Sequence, residues 1–235
     1  MTINTISIES VQKLRDKYTA GKDGLSQRHG WDNQLDVRAS IFGKYINLVN
    51  ALQISHWYFN NCLTVSAWYD SISLEKMDES NKIIYLREYD SFTKISTVQI
   101  MMLGLDSAFR QFVRALDPSA CMGGTAEFQG VYQWLFKRLN IDKKWVEHVE
   151  LIRMVRNTVH NNGVYYHRDG KNKEVQYQGN VYKFEIGKHV SFVTWQLLIL
   201  WLENNVEFIT EIVESVDLKS IQVIDDQYIK SVSSK

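Results

Sequence analysis

Only one proline, Pro118, interrupts the 235 residues, and glycine is sparse at 12. Proline breaks helix interiors and glycine weakens them, so their scarcity leaves room for long helices and predicts an all-α chain. Cysteine is nearly absent: Cys62 and Cys121 stand in unrelated contexts, without a CxxC pair or a Cys/His cluster. That usage excludes a disulfide framework and fits two reduced thiols in a cytoplasmic protein. Long apolar runs are missing too. The richest, residues 190–202, is interrupted by Ser191, Thr194 and Gln196 and is too short to span a bilayer, so no membrane association is expected. The opening MTINTISIES carries neither the basic start nor the apolar run of a secretion signal.

Several enzyme signatures are absent as well. The chain has no GxxxxGK[ST] phosphate loop, no GxSxG nucleophile elbow, and no HExxH or ExxH around its six histidines. His167-Arg168-Asp169 spells the tripeptide of a kinase catalytic loop, but no glycine-rich loop or DFG accompanies it. Neither a metal nor a cofactor is therefore expected. A formal net charge of zero argues against a protein that coats nucleic acid indiscriminately. The charge is unevenly placed, however. Residues 137–189 hold 11 Lys/Arg against 6 Asp/Glu, whereas residues 190–235 hold 3 against 7. A basic cleft beside an acidic helix and two solvated faces both fit that asymmetry.

What is present is helical periodicity. The pattern predicts a multi-helix bundle forming one domain over 1–235, with one small β-hairpin inserted. A short peripheral helix over residues 6–19 and a Gly-rich loop to Gly30 are expected first. Apolar positions from Leu35 to Leu52 then recur at helical spacing, with a break expected near Ser55. Across residues 81–117, Ile95, Val98, Met102, Leu105, Phe109, Phe112 and Leu116 alternate steps of three and four, a seam that Pro118 ends. The seam suits either the core of a single-chain bundle or the pairing of two subunits. A helix over 125–139 should follow the Gly123-Gly124 loop. Another should start from Asp142 as N-cap, with Ile141 and Val146 as its hydrophobic staple, and end at Gly163. Within an insertion over 163–188, residues 175–178 and 181–185 flank Gly179-Asn180, read as a two-residue turn with glycine first. A long helix over about 190–217 and a loosely held tail over 218–235 complete the expectation.

The chemistry concentrates in Arg153-Met-Val-Arg156-Asn157-Thr-Val-His160-Asn161-Asn-Gly163. On a helix turning about 100° per residue, Arg153, Arg156 and His160 share an arc of roughly 60°. They lie at the edge of an apolar stripe formed by Trp145, Val149, Ile152, Val155 and Val159. A guanidinium offers phosphate oxygens a planar, permanently charged fork, and an imidazole moves a proton near neutral pH. Together they suit cleavage of RNA without a metal. His160 would assist attack of the ribose 2′-hydroxyl on its phosphate, or protonate the leaving oxygen, while Arg156 stabilises the phosphorane. Asn157 could orient a phosphate or the histidine, and Tyr165 or Tyr166 could stack on a base. The same residue types also serve any helix end, where cations complement the dipole and Asn or Gly takes the left-handed turn.

The run RNTVHNNG at the end of a helix in an otherwise helical chain resembles the HEPN superfamily of helical nucleic-acid-processing domains. That family carries an Arg-polar start followed by a His after four to six intervening residues. Arg156-Asn157 matches the start but stands only three residues from His160, whereas Arg153 has six residues before His160 but is followed by Met154. The resemblance covers about eleven residues and leaves open which arginine is operative. It implies a homodimeric, metal-independent endoribonuclease of a toxin or phage-defence type, with an antitoxin or defence protein as partner and RNA as substrate. It implies Arg153, Arg156, Asn157 and His160 as the catalytic set, with Asn161 and Tyr165 at the substrate. A catalytically silent member, acting as a dimerising scaffold or nucleotide sensor, is the other expectation.

Overall fold

The computed structural model describes residues 7–72, 78–120 and 127–233. The Gly123-Gly124 loop, Cys121 and the expected helix start at Thr125 lie outside them. The architecture is an all-α bundle with one small hairpin. In chain order it comprises α1 (Ile8–His29), α2 (Val37–Tyr58), a π-helical turn (Phe59–Leu63), α3 (Ser66–Ile72), α4 (Glu79–Leu116), α5 (Phe128–Leu139) and α6 (Lys143–Val159). The hairpin strands β1 (Lys173–Tyr177) and β2 (Asn180–Phe184) come next, then α7 (Trp195–Val213), α8 (Val216–Lys219) and α9 (Gln227–Ser233). Among the described residues no helix is long and apolar enough to cross a membrane.

The expected seam of α4 is spent inside the chain. Val98, Met102, Leu105, Phe109 and Phe112 are buried, while Ile95 stays exposed and Leu116 is half-buried. Phe109 sits at the centre, its ring 5.8 Å from those of Phe136 and Phe208 and 5.9 Å from that of Phe128, so α4, α5 and α7 meet there. Edge-to-face and offset ring pairs of this kind add about 0.5–1.5 kcal/mol beyond area burial. The helix ends at Leu116, two residues before Pro118, as the proline requires.

The N-terminal expectation is corrected. Residues 8–29 form one uninterrupted helix, and it is not peripheral: Val11, Leu14, Tyr18 and Leu25 are fully buried. Gly21 belongs to a helix–helix approach rather than a loop, because a Cβ there would stand 3.0 Å from the Phe42 ring of α2. Tyr18 stacks on Tyr45 at 5.2 Å and donates to the Leu202 carbonyl at 2.7 Å, joining α1, α2 and α7.

The tail expectation is corrected as well. Arg38, fully buried, forms an ion pair with Asp36 at 2.6 Å and donates to the carbonyls of Leu218, Ile221 and Gln222. Ser40 donates to Asp226, and Asp226 donates its amide to the Leu35 carbonyl. Residues 218–226 are therefore strapped to the start of α2. The long helix expected from residue 190 begins at Trp195, where Thr194 caps it, and stops at Val213.

The hairpin pairs Tyr177 with Asn180, so its turn is Gln178-Gly179 and not Gly179-Asn180. Both turn residues have positive φ, 52° and 75°, the twist that a tight two-residue connection needs. Glycine thus takes the second central position. The hairpin is anchored on α6 and α7 through a buried relay. Tyr177 Oη accepts from Asn204 at 2.5 Å and donates to His148 Nδ1 at 3.0 Å, and His148 Nε2 donates to Asn205 Oδ1 at 2.8 Å. Burial lowers the His148 pKa to about 4, which keeps the ring neutral.

Candidate functional site

The helix that presents the Arg/His segment is built as its sequence implies. Asp142 Oδ1 accepts from the Lys144 amide at 2.8 Å, and Ile141 and Val146 pack against the core from either side of the cap. Trp145, Val149, Ile152 and Val155 are buried; so are His148, Leu151, Met154 and Thr158, a wider arc than the predicted stripe. The end comes earlier than expected. The helix stops at Val159, with His160 as its C-cap, and residues 161–163 form a turn in which Gly163 donates its amide to the Thr158 carbonyl. Asn162 and Gly163 take left-handed φ of 53° and 79°. From there the chain runs into the bridge between Val164 and His189.

Arg153, Arg156 and Asn157 face one open cleft of about 470 Å³. Its second wall is α4, through Met102, Leu103, Asp106 and Arg110, and the start of α5 closes one end. Tyr166, His167 and Arg168, from the segment between α6 and β1, form the other side. Four arginines thus line the cleft against two carboxylates, Asp106 and Glu127. The basic stretch seen in the sequence does supply a basic cleft. The acidic stretch is not its wall, since Glu203, Glu214 and Asp217 pair with Lys17, Arg28 and Arg138 elsewhere.

The arginines differ in what they are free to do. Arg153, its side chain only 13% exposed, is gripped by Glu150 through Nε at 2.8 Å and a terminal nitrogen at 2.6 Å. Tyr132 donates to the same carboxylate at 2.5 Å. Burial pushes the Glu150 carboxyl up, but the hydrogen bonds from Arg153 and Tyr132 outweigh it and hold the group below its ordinary value. Nearby His167 acts in the same direction. Arg110 pairs with Asp106 at 2.7 Å, and Arg168 makes a loose, exposed contact with Glu127 at 3.5 Å. Arg156 alone of the four has no carboxylate within ion-pair distance among the described residues; it touches Asn157 Oδ1 at 3.3 Å.

The remaining residues of the predicted set divide. His160 and Asn161 are exposed at the helix end and stand outside the cleft lining. Tyr165 is not available to a base: it is 2% exposed, its ring packs on Phe184 at 5.3 Å, and burial pushes its phenol up to about 12. The exposed neighbour Tyr166 lines the cleft in its place. The sequence reading also passed over His167. It sits in the cleft with Nδ1 2.6 Å from Asp169 Oδ1, and Asp169 is itself fixed by Lys173 Nζ at 2.7 Å and by the Lys171 amide at 3.0 Å. The available signal was the HRD tripeptide, legible as a histidine and an acid two apart beyond a helix end rather than as a kinase fragment.

Among known proteins, no family model, no curated sequence and no solved structure matches the chain. Function is read from the geometry.

Proposed function

We propose that the chain is a metal-independent endoribonuclease of the toxin or phage-defence kind, with the α4–α6 cleft receiving the RNA strand. The observation that supports this most is Arg156. An arginine held in a cleft beside three other arginines, with no acid of its own among the described residues, suits a phosphodiester as its counter-charge. Phosphate contacts of this type hold a strand without reading its sequence, and Tyr166 offers an exposed ring for a base.

RNA brings its own nucleophile. The 2′-oxygen attacks phosphorus, the bond to the 5′-oxygen breaks, and the products are a 2′,3′-cyclic phosphate and a 5′-hydroxyl. Arg156 neutralises the charge that accumulates on the phosphorane, and His160, four residues on at the C-cap of α6, transfers a proton. The exposure of His160 and Asn161 suits a homodimer whose two-fold axis passes near residues 153–163, bringing two helix ends together. An antitoxin or defence protein would then cover the same surface. The competing reading, a silent dimerising scaffold or nucleotide sensor, draws on two facts: His160 lies outside the cleft lining, and Arg153 is consumed by Glu150.

Purified chain, its His160→Ala and its Arg156→Ala variants, each incubated with mixed RNA in EDTA, separate the two. The nuclease reading expects wild-type cleavage and two inactive variants with near-normal thermal stability. Equal cleavage by all three would remove the assigned residues, and intact RNA with and without added metal would favour the scaffold.

A further inference from the structure

RNA transesterification moves two protons, one off the attacking 2′-hydroxyl and one onto the leaving 5′-oxygen. The Arg/His segment contains a single histidine, His160, and it stands outside the cleft lining. Inside the cleft a different imidazole is already in place. His167 lines the same cavity as Arg153 and Arg156.

Its ring is held in a defined orientation. Nδ1 faces Asp169 Oδ1 at 2.6 Å, a short contact in which Nδ1–H donates to the carboxylate. That fixes the tautomer and leaves Nε2, which has no hydrogen-bond partner among the described residues, as the nitrogen able to take up a proton. Asp169 cannot swing away freely, because Lys173 Nζ and the Lys171 amide hold both of its oxygens. The backbone agrees: Gly170, with φ of 65°, donates its amide to the His167 carbonyl at 2.9 Å and closes a tight turn over residues 167–170. The ring is neither sealed nor loose, with 31% of the side chain exposed. A carboxylate behind an imidazole that lines a basic cavity, with the far nitrogen unpartnered among the described residues, is an arrangement that suits general-base catalysis.

We propose that His167 is the general base of the cleft and Asp169 its positioning residue, an inference that rests on the ribonuclease reading given above. Neutral Nε2 takes the proton from the 2′-hydroxyl as the 2′-oxygen bonds to phosphorus. The bond from phosphorus to the 5′-oxygen breaks, and that oxygen takes a proton from the imidazolium of His160. Water then carries the proton from His167 back to His160, so the enzyme is restored and no other reactant is consumed. Arg156 stays on the phosphate throughout.

The test uses the full chain and a short RNA in EDTA, with a 2′-deoxy strand of the same sequence as a non-cleavable binding probe. His167→Ala should lose about 10²–10⁴-fold in kcat while retaining affinity for the 2′-deoxy strand. Added imidazole should restore part of that rate, which a merely structural role would not show. Asp169→Asn should lower kcat with KM unchanged. Wild-type cleavage matched by His167→Ala would overturn the role of His167 and leave the ribonuclease reading standing. Loss of activity in His167→Ala together with loss of strand affinity and no rescue by imidazole would also overturn it. Wild-type protein that leaves RNA intact would overturn the ribonuclease reading itself, and the base with it.

Discussion

Arg153 and Arg156 are one turn apart, yet their surroundings give them different work. Arg153 neutralises a part-buried carboxylate that Tyr132 also engages, so removing it strands Glu150. Arg153→Ala is expected to cost about 1–3 kcal/mol in urea unfolding, the penalty of an under-satisfied buried acceptor. Arg156→Ala, which breaks no ion pair among the described residues, should change stability by no more than about 0.5 kcal/mol, while strand binding falls. Equal stability losses for the two variants would contradict this division. Gly163 is constrained twice over, by its φ of 79° and by His189 Nε2, which would lie 2.7 Å from an added Cβ. Gly163→Ala should therefore destabilise the chain by about 1–3 kcal/mol, measured the same way. His148 sets a pH dependence. Its folded pKa of about 4 lies below the ordinary 6.5, so below pH 6.5 the unfolded chain binds a proton that the folded chain refuses. Stability is fully present above pH 6.5 and falls as the pH drops toward 4, by about 3 kcal/mol from this residue. An imidazole NMR titration showing His148 neutral at pH 5 is the expected result; a charged ring at pH 6 would refute it.

At the scale of elements, the features legible in the sequence were those fixed by local chemistry. Asp142, Ile141 and Val146 announced the start of α6, and Pro118 announced the end of α4, because caps and prolines act on their own neighbours. The α4 seam was legible as a seam, but only tertiary packing showed that it faces inward. What failed depended on distant partners. Gly21 reads as a loop residue until Phe42 is known to press on it, and the 218–226 segment reads as a tail until Arg38 is seen to hold three of its carbonyls. The turn missed by one residue because glycine suits either central position, and only the strand register, pairing Tyr177 with Asn180, selects between them. Arg38→Leu tests the strap. It leaves Asp36 buried without its cation, a loss of about 3–5 kcal/mol, and should open residues 218–233 to protease before the rest of the chain. Uniform digestion of the variant would show that the strap does not hold that segment independently.

For the molecule as a whole, Arg153, Arg156 and Asn157 of the segment singled out in the sequence line one cleft, whereas His160 and Tyr165 stand outside its lining. Arg153, Arg156 and Asn157 lie on one helix, so their common face follows from period alone. His167, Tyr166 and Arg168 reach the same cleft only because the chain turns back after Gly163, which no periodicity encodes. The bundle supplies two walls in α4 and α6, and the turn-back supplies Tyr166, His167 and Arg168. The proposed binding of phosphates in the cleft predicts strand affinity that weakens as salt rises, since arginines that neutralise phosphates release the strand's counterions. The central claim is that this cleft cleaves RNA without a metal, and end-group analysis after incubation of the full chain with RNA in EDTA tests it most directly. Fragments bearing 2′,3′-cyclic phosphate and 5′-hydroxyl ends, abolished by Arg156→Ala, are the predicted result; RNA left intact by the wild-type chain would contradict it.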